Sequence, residues 1–407
     1  MKRWIAALAA LMMLWILPAA GEGTPMTETE WYRQALKDAG MSLGNNARLK
    51  NVIERALNGE HITIGTIGGS ITEGAGAGNY SECWASRLAV RFGNAFGTNN
   101  GSNVHLVNAG VGGTPSTFGL MRYEREVVGR VPEEDPDGLP DVVVIEFSVN
   151  DWGEPTGHRC YESLVKTALD APNEPAVILL FAVFRNGFNL QEDLRKIGDR
   201  YGLMMVSIKD GIFSHIGSEL TAEEFFFDEY HPTSLGHRIM SDCLMQAITD
   251  AAEKETDAAP EADAAPVYGT DFVGLKTIFG DSEADGYTIE RGGFSQTDIK
   301  SYWNKPVGWV CGTNFFHEAN YPEDPLKVTG TFRKCLVAWK ASNDPAFGAA
   351  EIWVDGKMKM MVQGAQDKWG QSEVVLALDE AEAAEHTIEI RVKDRTRKFT
   401  VTAIGIQ

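Results

Sequence analysis

Ser70, Asp228 and His231 are the residue types that ester hydrolysis through a serine requires: a hydroxyl nucleophile, a base titrating near neutrality, and a carboxylate to orient that base. Ser70 lies in "HITIGTIGGSITEGAGAG", where β-forming residues from Ile62 to Ile67 give way to glycines. Three chemistries compete for this stretch. A phosphate cradle fits badly, because Gly74 is followed by Ala75 and Gly76 rather than Lys and Ser, and no G-x-G-x-x-G spacing occurs between Gly65 and Gly78. An ordinary flexible loop and a nucleophile turn both suit the glycines; in the latter, small neighbours admit substrate and free N–H groups meet an oxyanion. The stretch alone does not decide between them, so the rest of the chain must supply a base.

Asp228 and His231 stand in "FFFDEYHPTSLGH", spaced so that the carboxylate reaches one ring nitrogen and leaves the other for a serine. Two more polar loops follow strand-like runs, "NAGVGGTPS" at Asn108–Ser116 and "FSVNDWGE" at Phe147–Glu154. The Ser70 N–H, a glycine N–H from the second loop and the Asn150 amide are candidate oxyanion donors. Strands are expected at His61–Ile67, Val104–Asn108, Asp141–Ser148, Ala176–Val183 and Leu203–Ile208. Helices are expected near Glu82–Phe92, Tyr161–Leu169, Leu190–Tyr201 and Ser234–Ala251, with a lead-in helix in "NNARLKNVIERALNGE". "DVVVIEF" and "AVILLFAV" are nearly all apolar, as strands buried on both faces must be. The alternation predicts an α/β fold, a doubly wound parallel sheet with its site beyond the carboxyl ends of the strands.

The four blocks together resemble the SGNH, or GDSL-type, serine esterases and lipases, over roughly residues 45 to 250. "GGSIT" matches the nucleophile block, "NAGVGG" the N-x-G-x-x-G block, "SVND" the G-x-N-D block and "DEYH" the D-x-x-H block. The resemblance implies a flavodoxin-like fold, a triad of Ser70, Asp228 and His231, and an oxyanion hole of the Ser70 N–H, Gly113 and Asn150. Two residues depart from the pattern: Gly69 stands where the family usually has Asp, and Ser148 where it usually has Gly. "GGSIT" looks more like the bacterial members that act on carbohydrates.

The chain has 407 residues, enough for two domains. It opens with Lys2 and Arg3, an apolar run from Trp4 to Leu17, then Pro18 and small residues, the order of a signal peptide over residues 1–23. The run is short of the roughly 20 residues of a membrane span, so a secreted or cell-surface protein without a membrane anchor is expected. A net charge of −20 disfavours nucleic acid as a partner. No H-E-x-x-H or similar ligand spacing occurs, so no metal or cofactor is expected, and His237 reads as a polar or capping residue of the last helix. The cysteines number five; Cys311 and Cys335 are candidates for pairing, and Cys83, Cys160 and Cys243 read as buried thiols.

The catalytic domain, with its helical lead-in, is expected at 24–251. "AEKETDAAPEADAAP", Ala252–Pro266, reads as an extended acidic linker. Beyond it, 267–407 alternates apolar and polar residues and has Asp355-Gly356 as a hairpin turn, which predicts an antiparallel β-sandwich. It holds five of the ten tryptophans. Trp339 and Trp353, in strand-like segments, are expected in the core. Trp303 and Trp309, in a loop-like stretch, are candidates to stack on sugar faces, which would make the sandwich a carbohydrate-binding accessory domain. Asp151, Trp152, Arg122, Tyr123 and Arg185 are candidate pocket-lining residues in rim loops.

The expected activity is removal of O-acetyl groups from carbohydrate, with acetylated carbohydrate as the partner. The alternatives are a lipase or arylesterase, whose apolar acyl channel the small polar rim loops do not match, and a glycan acyltransferase sharing the acyl-enzyme. A surface adhesin with a retired esterase domain is the non-enzyme alternative; it predicts loss of a triad residue, and all three are present.

Overall fold

The computed structural model describes residues 25–135, 137–258, 265–300 and 312–407. By contact the chain divides into two compact units. The first spans the described residues up to Gly112, Val127–Trp152 and Ala168–Val267. Its strands β1 (Ile62–Gly68), β2 (Val104–Gly110), β3 (Val142–Glu146), β4 (Ala176–Phe181) and β5 (Met204–Ser207) form one sheet in the order β2-β1-β3-β4-β5. Every pairing is parallel, the doubly wound order of a flavodoxin-like fold. β1, β3, β4 and β5 are buried along their whole length, and β3 and β4 are accordingly near-continuous apolar runs rather than alternating ones.

Helices lie where the periodic segments predict them: Ala47–Leu57, Trp84–Phe96, Gln191–Tyr201 and Ser234–Glu253. A further helix, Glu30–Asp38, precedes the lead-in helix. The last helix overruns the expected linker, and the chain beyond it docks rather than extending freely. Asn46 Nδ2 donates to Ala251 O and Glu255 O, while Asn46 and Asp257 exchange backbone-to-side-chain bonds at 3.0 and 2.9 Å. Residues 259–264 lie outside the described residues.

The second unit gathers Gly113–Glu126, Gly153–Thr167 and Tyr268–Gln407. Eight strands of its C-terminal part, β6 (Lys276–Ile278), β7 (Tyr287–Glu290), β8 (Phe315–His317), β9 (Leu326–Ser342), β10 (Ala349–Val354), β11 (Lys357–Gln363), β12 (Trp369–Val392) and β13 (Phe399–Ile406), pair antiparallel. The long β9 and β12 pair along most of their length across several bulges. One end of β9 takes β7 and the other takes β13, so two layers share the long strands and close on one apolar core. Ile352 of β10, Val328 and Val337 of β9 and Ile404 of β13 meet there. Asp355 and Gly356 both have positive φ, as the predicted hairpin requires.

Trp339 is core, with its Nε1–H donating to Gln363 O at 2.8 Å. Trp353 is not: it points to the opposite face, half-buried, with the Arg391 guanidinium 4.2 Å from its ring centroid. The strand's alternation puts Ile352 and Val354 inward and Trp353 outward. Cys83, Cys160, Cys243 and Cys335 are buried; Cys311, Trp303 and Trp309 lie outside the described residues.

Candidate active site

β1 ends at Gly68, and the chain turns at Gly69 into the single helical turn Ser70–Glu73. Both glycines are dictated by neighbours. A Cβ on Gly68 would lie 2.2 Å from Thr72 Oγ1 and 2.5 Å from Glu146 O; one on Gly69 would lie 2.3 to 2.6 Å from the amide atoms of Asn150. Gly112 likewise leaves only 3.3 Å between its would-be Cβ and Ser70 Cβ. The glycines around Ser70 are sites of close approach rather than points of free flexing.

His231 is reached from the other side of the sheet order. The Asp228 carboxylate accepts from the Tyr230 and His231 N–H groups at 2.7 and 2.8 Å, which closes the D-E-Y-H turn. The same carboxylate lies 2.8 Å from His231 Nδ1, and His231 Nε2 lies 2.9 Å from Ser70 Oγ. With Nδ1–H donated to Asp228, Nε2 has its lone pair toward the serine hydroxyl, the tautomer a general base needs. Partial burial pushes the Asp228 carboxyl up, but the bonds from His231 and the turn N–H groups outweigh it and hold it below the usual carboxylate value. Gly76 lets the loop after Ser70 run against this turn, since a Cβ there would meet Pro232 O at 2.2 Å.

The loop after β2 is tied to the nucleophile turn by three bonds. Asn108 Nδ2 donates to Thr72 O at 2.8 Å, the Val111 N–H to Gly68 O at 3.0 Å, and the Gly112 N–H to Glu73 Oε2 at 2.9 Å. Asn108 thus acts as a brace, and Gly113 follows the last tie directly. Gly113 has φ +69, and a Cβ on it would strike Trp369 at 2.5 Å. After β3, Asn150 is half-buried against Gly69, and its Oδ1 has no hydrogen-bond partner among the described residues. Ser148, the departure from the family's glycine, donates its hydroxyl to Ala182 O at 3.1 Å and so locks this loop to the end of β4.

Of the candidate pocket residues, Trp152 is 78% exposed and Asp151 is buried. Arg185 sits in a loop, half-buried, with its guanidinium on Glu223 and its N–H on Glu229 O. Arg122 and Tyr123 are corrected: they lie not in a rim loop but in the helix Ser116–Glu126, where both are buried. That helix is covered on nearly every side, so its sequence shows no amphipathic stripe by which to recognise it. His237 is a wholly buried polar residue of the last helix. It accepts from the Trp84 N–H through Nδ1 and donates to Ala75 O at 3.0 Å through Nε2, and burial pulls its pKa down to about 4. Glu146, Thr72 and Glu73 were missed as supporting residues; the signal for Glu146 was a lone acid ending an apolar strand.

Residues 66–239 match the model of the GDSL-like Lipase/Acylhydrolase family. Among solved structures, a two-domain esterase (CEX) active on acetylated mannans matches with a TM-score of 0.74 at 23% identity, over 91% of this chain and 97% of that one. A structure of a two-domain esterase of the same description, co-crystallized with mannopentaose, matches with the same TM-score and coverage at 24% identity. No curated protein matches the sequence. At such identity the structural matches speak for the two-part fold, and the family match speaks for the segment that carries Ser70 and His231. Residues 66–239, the segment that holds Ser70, Asp228 and His231, are thus similar to the GDSL-like lipase/acylhydrolase family.

Proposed function

We propose that the protein is an exported serine esterase that removes O-acetyl groups from carbohydrate, with an acetylated mannan-type polysaccharide as its first substrate class. The observation that carries the reading is His231 set between Ser70 Oγ at 2.9 Å and the Asp228 carboxylate at 2.8 Å. The two-part fold, shared with an esterase active on acetylated mannans, supports the substrate class. In this reading His231 takes the Ser70 proton as Oγ attacks the acetyl carbonyl. The oxyanion is met by the Ser70 N–H, the Gly113 N–H and the Asn150 amide. His231 then gives the proton to the departing sugar hydroxyl and activates a water that frees acetate from the acetyl-serine. Asp151, Trp152 and Arg185 are the candidates near the acceptor side of the pocket, and the N-terminal segment is assigned to export.

Acetate release from acetylated mannan and acetylated xylan tests this, with wild type beside Ser70→Ala. Loss of about three or more orders of magnitude in kcat in the variant is expected, as when the nucleophile of a triad is removed. A wild type that releases no acetate from any glycan, yet cleaves longer acyl esters, would overturn the carbohydrate reading in favour of a lipase.

A further inference from the structure

The nucleophile turn rests on an acid that the mechanism above does not use. Glu146, the last residue of β3, is wholly buried directly under Gly68–Thr72. Its Oε2 accepts from Thr72 Oγ1 at 2.9 Å, the Gly69 N–H faces the same carboxyl, and Oε1 has no hydrogen-bond partner among the described residues. Among the described residues no cation pairs with it. The turn above presents Thr72, while Glu73 points to the Gly112 N–H; β1 opposes it with Gly68, and β4 is apolar throughout. Among the described residues the charged group facing it is Asp151, from the loop that also carries Asn150.

We propose that Glu146 is a positioning residue that works as a neutral acid: it seats the Gly69–Ser70 peptide through Thr72 and Gly69, and its ionisation disables the site. The inference rests on the esterase reading of Ser70. An uncharged carboxyl there leaves the oxyanion's donors unopposed. A carboxylate would set a buried negative charge beneath a centre that itself becomes negative in the transition state. Burial first, and then the nearby Asp151, push this carboxyl up to about 8, against the opposing pull of Thr72 and Gly69. The acid is therefore protonated at neutral pH and becomes charged only in alkali.

The test is kcat and KM for 4-nitrophenyl acetate from about pH 6 to about pH 10, with a melting curve at each pH. Wild type is compared with Glu146→Gln, Glu146→Ala and Thr72→Val. Wild-type kcat is expected to fall in alkali with a midpoint near the value of about 8 given above, while the protein stays folded. Glu146→Gln, which mimics the neutral acid, should retain most of the activity and lose this alkaline fall. Glu146→Ala should cost about a hundredfold in kcat with KM little changed, as a misplaced nucleophile does. Thr72→Val removes a bond that favours the carboxylate, so its fall should move to higher pH. An alkaline fall that persists in Glu146→Gln, or a Gln variant no better than Ala, would overturn the proposal.

A second readout does not depend on activity. The infrared difference between wild type and Glu146→Gln at neutral pH should contain a protonated-carboxyl band that vanishes in alkali, and its absence at neutral pH would also overturn the proposal. A wild type with that band but no esterase activity would overturn the esterase reading instead.

Discussion

A single methyl group at position 69 would occupy the space of the Asn150 amide, whose atoms lie 2.3 to 2.6 Å from where it would stand. The glycine that departs from the family's usual aspartate is therefore matched to the placement of Asn150 in this chain. Gly69→Ala is expected to lower kcat/KM on an acetyl ester by about a hundredfold, the cost of one displaced oxyanion donor. The melting temperature should change little, because the Asn150 side chain can swing toward solvent. Asn150→Ala should cost about the same, and the double variant no more than either alone, since both remove one interaction. A double variant whose losses multiplied would mean that Gly69 and Asn150 act separately. The residue types of the site were legible because the four blocks each carry chemistry. The supporting contacts were not, since "DVVVIEF" reads as a buried strand whether or not its glutamate touches the turn after the neighbouring β1.

At the scale of elements, the parallel sheet was legible because continuous apolar runs alternate with helical periods. The helix Ser116–Glu126 was not, because burial on nearly all sides erases its period, and that hid the places of Arg122 and Tyr123. The helix Ser234–Glu253 shows how one element holds another. Thr233 caps it by accepting from the Gly236 N–H, and one turn in, His237 grips the chain at Ala75, five residues past the nucleophile. The ring also accepts from the Trp84 N–H through Nδ1, and that bond needs a neutral ring, with Nδ1 free to accept while Nε2 donates to Ala75 O. Burial lowers the folded pKa to about 4, against the ordinary 6.5, so the unfolded chain binds the proton more readily. Stability from this group is thus full above about pH 6.5 and declines as pH falls toward 4, by roughly 3 kcal/mol in total. The denaturant midpoint of wild type should drop more between neutral pH and pH 4 than that of His237→Gln, with carboxylate titrations common to both. Equal drops would show that His237 takes its proton without penalty.

At the scale of the whole molecule, the acidic stretch near residue 260 ends where one boundary of the compact units falls, between Val267 and Tyr268, but it is not the only boundary among the described residues. The second unit takes in Gly113–Glu126 and Gly153–Thr167, which come long before that stretch in the chain. Sequence patterns report local period and composition, whereas this boundary is made by side chains more than a hundred residues apart. Arg159 Nη1 meets Asp271 Oδ2 at 3.0 Å, and its Nη2 meets Asp379 Oδ2 at 2.7 Å. Its guanidinium, with Lys334, holds Asp379 down to about 2, so the pair stays charged through any ordinary pH. The Tyr268 and Gly269 N–H groups both donate to Glu162 Oε2, Phe272 N–H donates to Ser163 Oγ, and Arg125 holds Asp281 and Thr313. A fragment ending at residue 266 keeps Arg125, Arg159, Glu162 and Ser163 but loses every one of these partners. It also uncovers apolar residues of the two inserted stretches. Such a fragment is expected to melt lower than the full chain and to be cut by protease within 113–126 and 153–167, where the intact protein resists. If the fragment matched the full chain in both respects, the stretches 113–126 and 153–167 would belong with the first unit instead. Arg159→Ala in the intact chain should produce a milder form of the same lability, because the guanidinium joins the carboxylates of Asp271, in the turn before β6, and Asp379, in β12, and stacks 5.3 Å from the Phe272 ring.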